Sequence, residues 1–358
     1  MQTFPCRWAI VGTGEVAGKF ALGLRSVPGA EASLVVSRSA ERAAALAARL
    51  GVKHSVGGYE NALDHPIDAV YIATPPSEHR ANALLFIAAG KPVLIEKPFA
   101  ASLSDAQAIV AAAQSAGVFC MEGMWTRFLP ALQLARTLIA EGRIGAPRSL
   151  SASFAVAQMV DPANSLFNAG LGGGATGHRG VYPISLAVDL LGPAVLDSAV
   201  VIRGETSVDE EATATLHHAN GAVSTLYAGT RTTADNSLTL LGTEGNLRFA
   251  GPIFRPYGVQ LEAVRPRSRG AARWGRAAIL KEGPLAQGLR QRLGGLTDLL
   301  APRRLLRAPY IGNGYAHEAM AVMHALAEGW TQHPLMPHEA TLAIAGLVDE
   351  IRAIGARP

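Results

Sequence analysis

An apolar strand that leads through a glycine turn into a helix is the feature that most constrains the fold of this chain. Residues 8–11 are Trp-Ala-Ile-Val, residues 12–14 are Gly-Thr-Gly, and apolar side chains then recur at helical spacing over residues 16–24. The two glycines and Ala17 fit the G-x-G-x-x-A pattern, in which a tight bend leaves the helix N-terminus open to phosphates. This unit predicts dinucleotide binding, and the residues expected to bind the dinucleotide are Gly12, Thr13, Gly14, Glu15 and Val16.

Strand-like and helix-like segments continue to alternate over the first 120 residues. Strands are predicted at residues 8–11, 32–37, 68–73, 93–95 and 118–121, with helices at residues 40–50, 81–89 and 104–116. Such alternation predicts an α/β domain with a doubly wound parallel sheet. We place this N-terminal Rossmann domain at residues 1–122.

The pattern changes beyond residue 122. A helix is predicted at residues 129–141 and two closing helices at residues 315–328 and 338–354. Between them, apolar and polar residues alternate at 150–154, 199–202, 212–217, 222–229, 237–241 and 246–249. This alternation is typical of a mostly antiparallel sheet with one open face. Residues 123–358 are therefore predicted to form a C-terminal α+β domain built on an open-faced sheet.

The composition favours a globular protein of a reducing compartment. Of 358 residues, 49% are hydrophobic and 17% are charged, and the length favours about two domains. The N-terminus has no signal-peptide pattern, and no apolar run reaches the roughly 20 residues of a membrane helix. We therefore expect a cytoplasmic protein without stable membrane insertion. Only Cys6 and Cys120 are present and the histidines lack ligand spacing, so no metal site is predicted.

One basic segment departs from the rest of the sequence. Residues 265–307 carry eleven lysines and arginines against two acids, in a chain whose net charge is +4. The segment lacks the repeated interleaving of aromatic and basic residues that is typical of nucleic-acid-binding segments, so no nucleic-acid partner is predicted. We favour a solvent-exposed loop or helix of the second domain for this segment. The leucines at helical spacing between residues 285 and 300 leave membrane-surface attachment as the alternative.

The end of the second predicted strand bears on the choice of cofactor. NAD-binding domains place an acid about 20 residues beyond the glycines, whereas this chain has Ser37-Arg38-Ser39 there. A hydroxyl and a guanidinium bind a 2′-phosphate that a carboxylate would repel. Ser37 and Arg38 therefore favour NADP over NAD. The alternative is that Arg38 is a surface charge and Ser39 a helix cap.

A lysine follows the strand predicted at residues 93–95. The sequence Val93-Leu-Ile-Glu-Lys-Pro98 places Lys97 at the carboxyl edge of the parallel sheet, where open α/β sheets bind ligands. An ammonium group there stabilises the alkoxide-like charge that develops on oxygen during hydride transfer. Together with the glycine turn, Lys97 predicts hydride chemistry on a small-molecule substrate.

Four motifs together resemble the glucose–fructose oxidoreductase / inositol dehydrogenase / MocA family over essentially the whole chain. They are GTGEVA at 12–17, ATPPSEH at 73–79, EKP at 96–98, and GGGA at 172–175 preceding GVY at 180–182. Residues 121–128, MEGMWTRF, look most like the dihydrodiol dehydrogenase branch. The resemblance implies an NADP-dependent oxidoreductase acting on a secondary alcohol or ketone of a sugar-like or cyclic diol substrate. It also implies a homodimer or higher homo-oligomer formed through the open-faced sheet.

The resemblance further implies roles for single residues. Lys97 would be the catalytic lysine and Tyr182 the residue that transfers a proton. The Lys97 ammonium is also expected to lower the pKa of a neighbouring phenol. Cofactor contacts are implied for Thr74, Pro75, His79, Glu96 and Lys97.

The chain departs from the family pattern four residues before Tyr182. The family normally carries an aspartate there, which pairs with the lysine and orients substrate hydroxyls, and this chain has His178. A neutral histidine can still bond a hydroxyl or relay a proton, so His178 is a catalytic and substrate-binding candidate, with simple packing as the alternative. The change leaves two other functions open. They are a cofactor-holding sugar sensor without turnover, and an enzyme that uses a tightly bound cofactor for epimerisation, elimination or glycoside cleavage.

Three more residues are candidates for substrate binding. Trp125 and Phe154 offer aromatic faces to the apolar side of a sugar or diol ring, with core packing as the alternative. Arg127 offers a cation to a substrate anion, with a salt bridge inside the protein as the alternative.

Overall fold

The computed structural model describes residues 5–264, 283–286, 288 and 303–354, and these residues form two sheets. The first sheet has six parallel strands in the order β3-β2-β1-β4-β5-β6. Its strands are β1 (Cys6–Val11), β2 (Ala30–Ser37), β3 (His54–Gly57), β4 (Ala69–Ile72), β5 (Val93–Glu96) and β6 (Cys120–Gly123). The order reverses between β1 and β4, which places a ligand crevice at the carboxyl ends of these strands. The predicted doubly wound parallel sheet is confirmed.

Four helices connect these strands: α1 (Glu15–Leu24), α2 (Ala40–Leu50), α3 (Pro76–Ala88) and α4 (Leu103–Ala116). Helix α2 has the predicted bounds, because Ser39 caps its first turn and Gly51, at φ 65°, ends it. Helix α3 begins at Pro76 rather than at residue 81, since proline fits the first turn of a helix. Strand β3 was not predicted, because its four residues, His-Ser-Val-Gly, lack an apolar run.

The second sheet has eight strands in the order β14-β13-β12-β11-β7-β10-β9-β8. All neighbouring pairs are antiparallel except β7 and β10, which run parallel, so the predicted mostly antiparallel sheet is confirmed. Strands β13 and β14 add to those predicted. The strands are β7 (Pro147–Ala155), β8 (Ala194–Arg203), β9 (Asp209–His218), β10 (Val223–Gly229), β11 (Leu238–Gly242), β12 (Gly245–Ala250), β13 (Gly258–Ala263) and β14 (Arg303–Arg307).

One face of this sheet is packed and the other is open. Strand β9 shows the alternation, since Ala212, Ala214 and Leu216 are buried while Thr213 and His217 are exposed. Helix α6 (Val181–Leu191) packs on the covered face and is apolar along most of its length. A π-helical turn, Thr176–Gly180, leads directly into α6 and carries His178 to the boundary between the two sheets.

Three further helices are α5 (Pro130–Ala140), α7 (Tyr315–Ala327) and α8 (His338–Ile354). Although α7 and α8 come last in the chain, they return to the first sheet. The Asp349 carboxylate accepts the Leu103 N–H at 2.7 Å, and the Asn313 side-chain amide donates to Lys19 O at 2.7 Å. A single hydrophobic core therefore includes residues of both sheets, and the crevice beside β5 is closed in by late elements of the chain.

The basic segment at residues 265–307 lies outside the described residues except for 283–286, 288 and 303–307. Within the described ranges, no helix has the length and apolar character needed to cross a lipid bilayer.

Candidate active site

The glycine turn after β1 has the geometry of a phosphate-binding loop. Gly12 has φ 122°, and a Cβ there would lie 2.4 Å from Ala73 O at the end of β4, so only glycine fits. A Cβ at Gly14 would meet nothing within 4 Å, which leaves open space in front of α1. No side chain caps the N-terminus of α1, so its first amides remain available to a pyrophosphate. These residues therefore fit a dinucleotide.

Glu15, predicted to bind the cofactor, turns its side chain away to pair with Lys19 at 2.6 Å. Its main chain lies in the first turn of α1, where no side chain caps the helix.

At the end of β2, Ser37 is buried and its hydroxyl accepts the Ser39 N–H at 3.3 Å, while Arg38 is exposed. The Arg38 guanidinium lies 3.8 Å from the Glu78 carboxylate of α3. Ser39 accepts the Arg42 N–H at 3.2 Å, so the alternative role predicted for it, a helix cap, is confirmed. These side chains present hydroxyl and guanidinium groups at the strand end where a cofactor ribose is expected.

The loop after β4 is held by His79. One imidazole nitrogen lies 2.8 Å from Thr74 O, and the other lies 3.0 Å from Pro98 O. Burial lowers the His79 pKa to about 4, so the ring is neutral and donates through one nitrogen only. His79 is thus committed to the main chain: it ties the Thr74–Pro75 turn to the loop after Lys97 instead of reaching the cofactor with its side chain.

Lys97 is half-buried at the carboxyl end of β5. Its Nζ donates to His178 O at 3.0 Å and lies 5.2 Å from the ring centroid of Tyr182. The main-chain N–H of Lys97 donates to the Glu96 carboxylate at 3.1 Å. Burial lowers the pKa of Lys97, and the charges of Glu96 and Glu122 oppose that effect. The structure therefore brings Lys97, Tyr182 and the His178 main chain together, with the half-buried ammonium at their centre.

Tyr182 lies in the first turn of α6 and is almost fully buried. Its hydroxyl accepts the Trp125 Nε1–H at 3.1 Å. Phe154 of β7 meets the Tyr182 ring edge-on, with centroids 5.2 Å apart, and remains partly exposed. Because the indole N–H donates to the hydroxyl oxygen of Tyr182, the hydroxyl hydrogen can donate to a different group.

The prediction that Lys97 lowers the pKa of this phenol is wrong. Burial raises the Tyr182 pKa well above its ordinary value, and the charge of Glu96 raises it further. The cation that opposes this rise is Arg255, which follows β12. The reason is that the nearly dry surroundings of the phenol penalise the phenolate. Tyr182 is therefore protonated throughout the physiological range.

Two predicted substrate contacts need correction. The Trp125 indole is only 2% exposed, because it stacks on Tyr315 at 4.6 Å, so it acts on Tyr182 rather than forming an open pocket wall. The Arg127 guanidinium is also 2% exposed, and it donates to Ser185 Oγ, Ser185 O and Leu335 O at 2.7–3.1 Å. A guanidinium buried and bonded in this way holds α6 against the loop near Leu335 and is not exposed to a substrate anion.

His178 is neutral. Burial lowers its pKa to about 3, and the nearby charges of Lys97 and Arg352 lower it further. Its Nε2 is buried without a hydrogen-bond partner, whereas its carbonyl oxygen is the group that binds Lys97. The imidazole therefore offers one unpaired nitrogen to a substrate hydroxyl and supplies no charge to Lys97.

The turn that carries His178 is held in place by Asp209 and Arg352. Gly174 has φ 116°, and a Cβ there would collide with Asp209 Oδ1 at 2.0 Å. The other oxygen of Asp209 accepts the Thr176 N–H at 2.5 Å, and Arg352 of α8 donates to Gly173 O at 3.0 Å. These contacts fix the main-chain carbonyl that Lys97 uses.

Two buried carboxyl groups lie near the site: Glu96, which was predicted as a cofactor contact, and Glu318, which the sequence did not reveal. Glu96 accepts a short hydrogen bond from the Tyr71 hydroxyl. Glu318 of α7 is fully buried, neither of its oxygens has a hydrogen-bond partner, and burial raises its pKa well above the ordinary value. Burial therefore favours the protonated, neutral form of Glu318. No local motif marks it, because it reaches the first sheet only through tertiary packing.

Glu122 of β6 is 1% exposed, and one of its oxygens accepts the Phe99 N–H at 3.2 Å while the other has no partner. Burial raises its pKa to about 7, although the charge of Arg127 opposes the rise. A cavity of about 10 Å³ beside it is too small for a substrate molecule. Glu122 thus titrates near neutral pH while it holds the turn that follows Lys97.

We predict that Glu122→Gln stabilises the fold at pH 8 relative to pH 5. In the folded protein Glu122 keeps its proton up to about pH 7, whereas the unfolded chain loses it near 4.5, so stability falls as pH rises between these values. Glutamine removes that loss, and the gain at pH 8 over pH 5 is up to about 3 kcal/mol. Urea unfolding at both pH values measures it, with the exposed Glu244→Gln as control. An equal effect of Glu122→Gln at the two pH values would contradict the assignment.

A cavity of about 590 Å³ lies elsewhere, on the second sheet, between residues near Asp235 and Gln260. None of the predicted site residues lines it. The predicted site residues Lys97 and Tyr182 instead meet in the crevice at the carboxyl end of β5.

Comparison with known proteins agrees with this arrangement. The family model described as "Oxidoreductase family, NAD-binding Rossmann fold" matches residues 6–124, and the model described as "GFO/IDH/MocA C-terminal domain" matches residues 132–248. The chain therefore belongs to the GFO/IDH/MocA family of oxidoreductases and contains an NAD(P)-binding Rossmann domain. Within that family it matches the dihydrodiol dehydrogenase branch. It is 30% identical to the trans-1,2-dihydrobenzene-1,2-diol dehydrogenase of Oryctolagus cuniculus, over 97% of this chain and 98% of the relative.

Two solved structures resemble the whole chain. The 3-ketoreductase KijD10 from Actinomadura kijaniata, in complex with NADP and TDP-benzene, superimposes with a TM-score of 0.79 at 26% identity. Levoglucosan dehydrogenase, in complex with NADH and levoglucosan, superimposes with a TM-score of 0.79 at 25% identity. Each alignment covers 98% of this chain and 97% of the other. The two neighbours hold different cofactors, so the choice between NADP and NAD depends on residues of this chain.

Proposed function

We propose that this protein is an NADP-dependent oxidoreductase that transfers a hydride to or from a secondary alcohol or ketone of a sugar-like or cyclic diol substrate. The observation that carries the proposal is the convergence of Lys97 and Tyr182, with Nζ 5.2 Å from the phenol ring, at the end of β5. This point lies two strands from the glycine turn in the same sheet. The names of the relatives, which include a diol dehydrogenase and a ketoreductase, support the same reaction class.

The residues of the site suit the reduction of a ketone. When bound, the reduced nicotinamide supplies a hydride to the carbonyl carbon. Tyr182 donates its phenolic proton to the carbonyl oxygen, and the Lys97 ammonium stabilises the negative charge that builds up on that oxygen. Trp125 Nε1–H stabilises the resulting phenolate, to which solvent returns a proton. Oxidation would need Tyr182 as a phenolate, which its raised pKa disfavours, so the site suits reduction better than oxidation.

His178 contributes position rather than charge. Its carbonyl oxygen holds the Lys97 ammonium at 3.0 Å, and its unpaired Nε2 is available to a neighbouring substrate hydroxyl. A second hydroxyl on the substrate, as in a diol or a sugar, would satisfy that nitrogen.

The proposed preference for NADP depends on the end of β2. Burial raises the pKa of the Tyr59 phenol and the charges of Arg38 and Arg42 oppose that rise, so both guanidinium groups lie near this ring. A 2′-phosphate between them would gain charge-assisted hydrogen bonds from both. The Glu78 carboxylate, 3.8 Å from Arg38, competes with the phosphate for one of them.

We expect Arg38→Ala to raise the KM for NADP by roughly 10- to 100-fold and to leave the KM for NAD within a factor of about three. The reason is that a hydrogen bond between charged groups contributes about 1.5–3 kcal/mol. Initial-rate kinetics with both cofactors measures the change. The control is Arg49→Ala, which removes an exposed arginine from the other end of α2. An equal rise in KM for NADP and NAD would mean that Arg38 does not bind the 2′-phosphate.

A panel of trans-dihydrodiols, anhydrosugars and keto-sugars, assayed with both cofactors, tests the reaction itself. The appearance or loss of NADPH absorbance supports an oxidoreductase. Saturable sugar binding without turnover would favour a sensor. Product formation without net change in the cofactor would favour epimerisation, elimination or glycoside cleavage.

We further propose that the protein is a cytoplasmic homodimer or higher homo-oligomer and that its Rossmann domain ends near residue 122. Support for association comes from the open face of the second sheet, where Val195 and Val200 of β8 are each 67% exposed. Sedimentation equilibrium that shows only monomer at micromolar concentration would contradict it.

A further inference from the structure

Arg255 lies in the loop between β12 and β13, and the main chain of this loop is well fixed. The Arg255 N–H donates to Pro252 O at 2.8 Å, and the Ile253 N–H donates to Asn236 O at 2.6 Å. The Thr126 hydroxyl, beside Trp125, donates to Phe254 O at 2.9 Å. The loop is therefore tied to the segment that supports Tyr182, and the Arg255 side chain starts from a fixed position.

Among the residues that the structure describes, the Arg255 guanidinium has no ionic partner. Its Cζ lies 5.4 Å from the ring centroid of Trp125, and its Nε is buried without a hydrogen-bond acceptor. In the described ranges no carboxylate lies within ion-pair distance of it. By contrast, the buried Arg127 and Arg179 each donate to three protein acceptors. A partly dry guanidinium without an anion is costly, and contact with an aromatic face offsets only part of that cost.

Arg255 also lies beside the reacting groups. Its neighbour Phe254 stacks on Phe154 with centroids 5.0 Å apart, and Phe154 meets the Tyr182 ring at 5.2 Å. Its charge acts on both Tyr182 and Tyr315, where it opposes the rise in pKa that burial causes. The unpaired cation is therefore near the phenol that handles the substrate oxygen.

We propose that Arg255 binds an anionic group of the substrate, so that the preferred substrate is a sugar acid or a sugar phosphate rather than a neutral diol. This inference rests on the proposed function. A guanidinium binds carboxylate and phosphate alike through paired N–H donors. The anion would supply the hydrogen-bond acceptors that the described residues do not offer to Arg255. The aromatic rings of Phe154 and Phe254 would then cover the apolar side of the same molecule.

Binding and turnover of matched ligands test the proposal. Glucose, glucuronate and glucose 6-phosphate share one scaffold and separate a neutral ligand from a carboxylate and a phosphate. Calorimetry on NADPH-saturated protein keeps the nucleotide site occupied, and inorganic phosphate and acetate serve as scaffold-free probes. We expect at least one anion, carboxylate or phosphate, to bind at least about tenfold tighter than its neutral match. Arg255→Gln should abolish the difference and Arg255→Lys should restore part of it.

The matched control is Arg248→Gln on β12, whose guanidinium pairs with Asp235 at 3.6 Å. It should keep the preference for anions, and the melting temperature of each variant checks that it folds. Anion binding that does not depend on Arg255, or no anion binding by any probe, overturns the inference. Arg255-dependent binding without turnover of any alcohol or ketone would support it and contradict the proposed reaction. Turnover of neutral diols without a preference for anions would support the proposed reaction and contradict the role of Arg255.

Discussion

Replacing Lys97 with methionine is expected to lower kcat by about a thousandfold. The charge that Lys97 stabilises appears on the substrate oxygen only as the hydride moves, so its loss affects the transition state more than the bound substrate. Removing one such donor in a water-poor site lowers kcat by about 10²- to 10³-fold. Methionine keeps the length and apolar stem of the side chain and removes the ammonium that donates to His178 O at 3.0 Å. Steady-state kinetics on the best substrate of the panel measures the change.

Lys91→Met is the matched control, because Lys91 stands just before the opposite end of β5 and donates to Ile67 O at 3.3 Å. It should leave kcat within about twofold. Lys97→Arg should recover part of the loss, since it restores the charge with a different shape. If Lys97→Met keeps kcat within threefold while NADPH still binds, the hydride reaction does not depend on this ammonium.

The sequence predicted the parts of the fold that are encoded locally. The glycine turn at Gly12 and Gly14, the cap at Ser39 and the stop at Gly51 depend on a few adjacent residues, and all of them are present. Strand β3 escaped prediction, because a short edge strand owes its state to pairing with β2 rather than to its own pattern.

The residues of the candidate site also fall into two groups, those that local motifs predict and those that only tertiary packing places. Lys97 and Tyr182 stand in motifs, and the structure brings them together. Arg255 and Glu318 come from segments far away in the sequence, and nothing in their own neighbourhoods signals that packing will bring them close enough to affect the pKa of Tyr182. The acceptor for Lys97 is a main-chain carbonyl, which every residue possesses, so the side chain of His178 could not reveal it. Burial likewise decides the protonation of Tyr182, and burial depends on the whole fold.

Tyr182→Phe is expected to lower kcat by about 10²- to 10³-fold with little change in KM. General acid–base catalysis by a positioned side chain contributes about 10²- to 10⁴-fold, and phenylalanine removes only the hydroxyl that transfers the proton. The ring that packs edge-on against Phe154 remains, and the lost bond to Trp125 Nε1 costs roughly 1 kcal/mol of stability. Tyr227→Phe is the control: it removes a hydroxyl bonded to Glu211 on the second sheet and should leave kcat unchanged. Wild-type turnover by Tyr182→Phe would assign the proton transfer to another group of the site, such as Lys97 or His178.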